Sequence, residues 1–532
     1  MLKSILTATA VSFLVAFAFG QRMLEDVTVQ FKDLNLEKSR DVELVSAFKT
    51  DEGYIVLKKE PIRGPGGWNY FIENFDEDLV SNGVHDITQQ FEDENYVIER
   101  IIKVKDSYVL FSTKNFPDAR RVDLFAQKFI LDDNKLTKPL RIYSEDYERR
   151  RSIVNFNINA SFDETMLLIT IHPPYARGEK ERIVFKVIDE NLEEVFEKED
   201  VQLEEEDQVY SIKQTSISNT GEIYIIGSKY VPRDRKLGRE RSKTEYELVV
   251  VSDGDREITP IELKNELFID NVALTYGEKG ELYLGGYYRK EDGTGIDGVF
   301  LFTLNEKTAE IEDELYDEFT KEFITEGWSD RALKKAERKE SKGVDLGLSN
   351  LEFRQVIQHD DGSRSMIGEV FWITYHTRTD ANGNTTTYTV YHYGDLVVTR
   401  ISPEGEVISH GRYNKHYTYY GAYLCFDLNN QVAVVRNTSR LKILDENVEE
   451  MSKIDKKKKG GDALIISLIS EDGTVEDYGL LDYFRGSDIY RYRRYKRIAD
   501  EAYVMKHKGK TEIVALTYYG SKKFGLARFQ LD

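Results

Sequence analysis

The chain predicts an all-β fold, and within it a β-propeller, from three observations. A strand signature recurs along most of its 532 residues, a two-strand hairpin follows nearly every copy, and the last copy runs out of chain one strand short. The signature is clearest in Gly221-Glu-Ile-Tyr-Ile-Ile-Gly227 and Gly280-Glu-Leu-Tyr-Leu-Gly-Gly286. A glycine opens a turn, an alternating run of β-branched, Leu and Tyr residues makes a strand, and a second glycine relieves the strand's end. Looser copies stand at Gly53–Leu57, Ser107–Phe111, Thr165–Ile169, Arg364–Gly368, Gln431–Val435 and Thr511–Leu516, mostly about 55 to 85 residues apart.

The hairpins are read from their turns. Arg182–Ile188 is followed by Asp189-Glu-Asn191 and Leu192–Leu203; Leu248–Val251, Leu396–Ile401 and Leu464–Ile469 run into Ser252-Asp-Gly-Asp255, Ser402-Pro-Glu-Gly405 and Ser470-Glu-Asp-Gly473. With the strand before the signature as a, the signature as b and the hairpin as c and d, four strands recur per unit. The units fall near 41–87, 96–144, 152–203, 208–264, 268–316, 350–413, 421–483 and 499–532. Eight four-stranded blades are predicted, with seven as the alternative count. The eighth unit holds three strands, and Val27–Phe31 alternates correctly to be its fourth. Pairing the two ends would close the ring and remove two exposed sheet edges.

Residues 314–346 break the pattern: rich in Glu, Lys and Ala, they read as a short helical insertion of two helices, with Ser329 as an N-cap and Gly343 as a stop. Phe319, Phe323 and Trp328 would pack it on the neighbouring blade; a partner-docking helix is the sharper alternative.

The first 20 residues read as an export signal. Lys3 gives the positive start, Ile5–Phe19 the apolar run and Ala18-Phe-Gly20 the cleavage site, leaving residues 21–532 as one propeller domain in the periplasm or outside the cell. The run is short for a spanning helix, and no later stretch is apolar enough to cross a membrane. The single cysteine, Cys425, excludes an internal disulfide and sits in an apolar run as a small core residue. A formal charge of −21 disfavours nucleic acid and anionic membranes as partners.

The stretch from Asp345-Leu-Gly-Leu-Ser-Asn-Leu-Glu-Phe353 through His359-Asp-Asp-Gly362, Gly368-Glu-Val-Phe-Trp-Ile373, Tyr393-Gly-Asp-Leu-Val-Val398 and Ile401-Ser-Pro-Glu-Gly405 resembles exported β-propeller-like proteins of Bacteroidota-type bacteria. The resemblance covers roughly the last 220 residues. It implies fold and export, and it carries no catalytic residues to this chain.

No nucleophile elbow, zinc helix, Walker loop or dinucleotide fingerprint is present, so the reading leans away from an enzyme. Ser439-Arg-Leu-Lys442 has a Ser-x-x-Lys spacing, but lies in a loop of mixed charge. His359-Asp-Asp-Gly362 reads as a tight turn rather than a metal or acid–base cluster. Asp380-Ala-Asn-Gly-Asn384 lacks the sixth-position Gly and twelfth ligand of a calcium loop and reads as a polar hairpin tip. Asp292–Gly298 is weaker still. No metal or cofactor is expected.

Sorting the loops by face separates two chemistries. The a-to-b and c-to-d turns are short and acidic; the b-to-c and d-to-a loops, on the opposite face, are longer and carry the arginines. On that second face stand Arg120, Arg121, Arg149, Arg150, Arg151, Tyr175, Arg177, Arg233 and Arg235, then His416, Tyr417, Tyr419, Tyr420, Tyr490, Arg491, Tyr492, Arg493 and Arg494. Arginine forks with aromatic faces suit carboxylate-bearing ligands, sugars or a protein's hot spots. The expected function is noncatalytic binding of a protein or glycan, anionic at the contact. A hydrolase or lyase acting on polysaccharide or peptide at the central channel is the alternative, and a structural component of an envelope complex a third.

Overall fold

The computed structural model describes residues 24, 27–34, 43–50, 52–61, 68–87, 96–105, 107–130, 135–147, 154–174, 182–199, 209–230, 244–264, 267–277, 280–290, 295–341, 346–379, 385–418, 423–439, 453, 462–482, 502–507, 510–519 and 523–531. Within them the chain forms eight antiparallel sheets, each built on a four-strand path. In chain order, sheets 1 to 7 span 43–86, 96–146, 155–198, 209–260, 268–318, 351–413 and 424–482, and sheet 8 takes 502–531. Eight is therefore the count rather than seven.

The fourth strand of sheet 8 comes from the N-terminal end. Val27–Leu34 pairs antiparallel with Lys523–Leu531, in register from Val27↔Leu531 to Leu34↔Phe524. The strand is three residues longer than the Val27–Phe31 run suggested. Val27 and Val29, with Leu24, pack partly buried against Phe529, Leu531 and Ile513.

Successive sheets stack face to face, which explains why the second and third strands lose their alternation. Leu282–Arg289 is buried at all but its last residue, whereas the outer strand Arg256–Pro260 is exposed throughout. Both faces of a middle strand meet a neighbouring sheet, so both must be apolar. Apolar clusters join sheet 1 to 2, 2 to 3, 3 to 4, 4 to 5, 5 to 6, 6 to 7 and 7 to 8. Another, through Ala47, Tyr54, Val514 and Leu526, joins sheet 8 to sheet 1. There the Tyr54 hydroxyl bonds Glu512 and accepts from Arg528 at 3.0 Å. Burial, then the Glu512 carboxylate, pushes that phenol's pKa well above the usual tyrosine range.

The signature glycines do two different jobs. Gly221 and Gly280 sit at φ +103° and +92°, the left-handed region a turn requires. A Cβ on Gly286 would lie 2.1 Å from the Asn271 carbonyl oxygen, so that glycine permits close strand approach. The turns share one design: in Ser218–Gly221 the Gly221 N–H reaches the Ser218 carbonyl, while the Ser218 hydroxyl accepts from the N–H groups of Thr220 and Glu222. Asp189 serves Asn191 and Glu193 alike, each at 2.8 Å. His359–Gly362 is such a turn, closed by the Gly362 N–H on the His359 carbonyl.

The insertion holds two helices, α1 (Lys321–Thr325) and α2 (Asp330–Glu340). It begins later than residue 314: residues 311–318 complete the outer strand of sheet 5, because Ile311–Glu318 pairs with Gly298–Leu304 and its acidic run faces solvent. Thr320 caps α1, and the Ser329 hydroxyl accepts from the Ala332 N–H at 3.4 Å at the start of α2. Phe319, Phe323 and Trp328 join the apolar cluster between sheets 5 and 6. No helix among the described residues is long and apolar enough to cross a membrane, and the predicted export signal lies outside those residues, as do the Gly343 stop and the Asp380–Asn384 tip.

Candidate functional site

The second and third strands of sheet 6 outgrow their sheet. Arg364–Thr379 and Thr385–Ile401 are β-rich in Thr, Tyr and Val, and their pairing continues past a register break between Glu369 and Phe371. Nine further pairs, Phe371↔Tyr393 to Thr379↔Thr385, form a ribbon that projects from the face of the b-to-c loops. A third short strand, Tyr417–Thr418, joins it at Tyr393 and His392.

Directly opposed residues share a side of the ribbon. One side carries Ile373, Tyr375 and Tyr391 in solvent, with Tyr375 72% exposed, while Phe371 stacks on Tyr391 at 6.4 Å. The other side stacks Trp372 over two imidazoles lying side by side, His392 at 4.7 Å and His416 at 5.5 Å, and stacks His376 on Tyr388 at 5.4 Å. The Thr374 hydroxyl lies 2.9 Å from His392 Nε2 and 3.1 Å from His376 Nε2. The result is an exposed ribbon of aromatic rings edged with hydroxyls.

Its base is an ion-pair network. Arg412 donates from Nε to Asp395 at 2.8 Å and from NH1 to the Glu326 carbonyl at 3.3 Å, while the Lys415 N–H reaches Asp395 at 3.2 Å. Asp395 lies just below the ribbon on strand Thr385–Ile401 and Glu326 joins α1 to α2, so Arg412 ties the helical insertion to the ribbon's root. Beneath them the fully buried Lys415 ammonium bonds Glu369, which also takes Arg354 at 2.9 Å. Burial lowers the pKa of Lys415 below the usual lysine range, even though Glu369 pulls it upward. Burial raises that of nearby Glu352, against the pull of Arg354.

On α2, Arg331, Lys334, Lys335 and Arg338 are exposed, and none has an ion-pair partner among the described residues. Their spacing of three, four and seven puts them on one side of the helix, while Ala336 faces the core.

Of the residues singled out from the sequence, the structure places His416 and Tyr417 at this site. His416 joins the Trp372 stack, and the Tyr417 hydroxyl donates to the Asn437 carbonyl at 2.7 Å and accepts from Arg436 at 3.1 Å. Arg149, Arg150, Arg151, Arg177, Arg233, Arg235, Tyr419, Tyr420, Tyr490, Arg491, Tyr492, Arg493 and Arg494 lie outside the described residues. The ribbon's aromatics and the α2 stripe were not singled out. The alternating Thr/aromatic run and the i, i+3, i+4, i+7 cations were their available signals.

A Ser–His–Asp arrangement also appears, between sheets 6 and 7. His359 Nδ1 lies 2.5 Å from Asp427, and Nε2 lies 2.8 Å from the Ser365 hydroxyl. That spacing matches an acid–base–nucleophile relay, but Ser365 and His359 are 0% exposed. Arg400 also donates to the Ser365 oxygen at 3.3 Å. No substrate carbonyl can reach that oxygen, so the trio is a clasp between sheets. Among the described residues no group of three or more His, Cys, Asp or Glu is placed to hold a metal ion.

No protein-family model and no curated protein matches the chain. Solved β-propeller structures do. The β-propeller domain of the Trilobed protease from Pyrococcus furiosus is 11% identical over 84% of this chain and 97% of that one, with a TM-score of 0.34. An α-L-arabinanase of Penicillium chrysogenum is 10% identical over 72% and 98%, TM-score 0.29. Porphyromonas gingivalis dipeptidyl peptidase 4 is 10% identical over 90% of this chain and 65% of that enzyme, TM-score 0.35. Likeness this distant carries no activity to this chain.

Proposed function

We propose that this chain is an exported, noncatalytic β-propeller that holds a protein or glycan partner on the face of its b-to-c and d-to-a loops. The projecting ribbon carries this reading. Nine strand pairs extend beyond the sheet, and they bury little while holding Tyr375, Tyr388 and Tyr391 in solvent. Ordering exposed aromatic area contributes little to stability and much to contact. From their place in the sequence alone, Arg149–Arg151, Arg177, Arg233, Arg235 and Tyr490–Arg494 are expected on this face, where they would attract an anionic partner. The Ser365–His359–Asp427 clasp lends the hydrolase alternative nothing, because it is sealed.

The test uses cell envelopes of the producing organism, which hold both proteins and glycans. Mature protein should be retained on them, and Tyr375→Ser, Tyr388→Ser and Tyr391→Ser combined should abolish retention. Glu471→Ser with Asp472→Ser, on the opposite face, should leave it unchanged. Equal retention of the triple variant and the parent overturns the proposal.

A further inference from the structure

We infer that the partner is an anionic polysaccharide, gripped between the basic stripe of α2 and the aromatic ribbon of sheet 6. The inference rests on the proposed binding role of this face and names its ligand class.

In a chain of net charge −21, four neighbouring cations on one helix side, without ion-pair partners among the described residues, form a local field opposite to the bulk. Of the other arginines around the site, Arg354, Arg412 and Arg436 are spent on Glu369, Asp395 and the tyrosines Tyr413 and Tyr417, while Arg378 stands exposed on the ribbon and adds to the same positive field. Arg331, Lys334, Lys335 and Arg338 are left to meet an external anion. They cover about two turns, roughly 10 Å of helix, which matches a row of acidic groups better than a single one.

α2 starts four residues after Glu326, whose carbonyl accepts from Arg412, and Arg412 also pairs with Asp395, two residues below the ribbon on the strand that forms it. Arg412 therefore fastens the start of α2 to the ribbon's root, so that one extended ligand could meet both.

The ribbon decides the class. The apolar side chains the ribbon exposes, Ile373, Tyr375 and Tyr391 on one side and Tyr388 on the other, are few for the apolar core of a stable protein interface, and beyond them the ribbon is lined with hydroxyls. Tyr375 opposes Thr389, Tyr388 opposes His376, and the last two pairs on the Tyr375 side are Thr377↔Thr387 and Thr379↔Thr385. Isolated exposed rings stack on the C–H faces of pyranoses, while Thr and His side chains bond sugar hydroxyls. The carboxylates of such a polymer would fall to the guanidinium forks of Arg331 and Arg338.

The experiment measures binding of the full mature protein to polygalacturonate, to neutral dextran and to poly-L-glutamate of matched length, at two salt concentrations. Polygalacturonate should bind best and more weakly as salt rises. Arg331→Gln, Lys334→Gln, Lys335→Gln and Arg338→Gln combined should weaken it about tenfold or more and flatten the salt dependence. Tyr375→Ala should weaken it about fivefold with the salt dependence unchanged. Both variants should melt with the parent, since every substituted side chain is exposed. Poly-L-glutamate binding as well as polygalacturonate overturns the glycan class while leaving a binding face intact. Equal binding of dextran overturns the role of the stripe, and Tyr375→Ala binding like the parent overturns the role of the ribbon. No polygalacturonate binding overturns the inference outright, whatever the envelope retention shows.

Discussion

Removing residues 21–34 should cost the protein a measurable and calculable amount of stability. The deletion takes away Val27–Leu34, the outer strand of sheet 8, and with it Leu24, whose N–H bonds the Gly479 carbonyl at 3.1 Å. Leu24, Val27 and Val29 are each partly buried against a cluster that includes the fully buried Phe529. Half-burial of such a side chain contributes about 1 kcal/mol, so the three together contribute about 3 kcal/mol. The strand's backbone hydrogen bonds and its ordering entropy oppose one another and largely cancel. For a chain of about 500 residues the unfolding entropy is about 1 kcal/mol per degree, which converts the loss to a fall in Tm of about 3 °C. Exposing the edge of Lys523–Leu531 should also make the variant self-associate. Scanning calorimetry with light scattering reads both. A deletion variant that melts with the parent and stays monomeric refutes the closing role of the N-terminal strand.

Ser365→Ala should lower stability by about 1–3 kcal/mol, because His359 Nε2 and Arg400 NH1 lose a buried partner, and a fluorophosphonate probe should leave Ser365 of the parent unlabelled; labelling would reopen the hydrolase reading. Lys415→Met should cost about 3 kcal/mol, the low end for breaking a buried pair, because Glu369 then keeps only Arg354, and adding Glu369→Gln should recover part of it; a urea double-mutant cycle with no coupling contradicts the pair. Burial acts to raise the pKa of Asp163, but hydrogen bonds from Thr165 and Ser161 outweigh it and hold the carboxyl below the usual range. A depressed folded-state pKa means the unfolded chain binds more protons, so this stabilisation is complete above about pH 4 and is lost as pH falls through the lower folded value. Asp163→Asn should therefore flatten the acid limb of the stability curve, and an unchanged limb shows that Asp163 contributes nothing to it.

The features legible along the chain are those that depend on near neighbours. Alternation, the turn residues Asp189–Asn191 and Ser252–Asp255, and an orphan strand at Val27–Phe31 are local features. They suffice to count eight sheets and to name the pair of strands that share sheet 8. The face carrying His416 and Tyr417 was legible for the same reason, since a loop's face follows from which strands it joins. Tertiary structure alone decided which polar residues are used up inside. His359 and Asp427 are 68 positions apart, and Arg412 meets Glu326 across 86. Nothing in the pattern around Lys415 marks it as fully buried rather than solvated. Arginines that read alike in sequence divide into Arg354 and Arg412, paired with carboxylates, Arg436, bonded to tyrosine hydroxyls, and Arg331 and Arg338, left facing solvent. The division depends on desolvation and pairing between distant segments, and a charge's fate is fixed only when the sheets that bury it have been stacked.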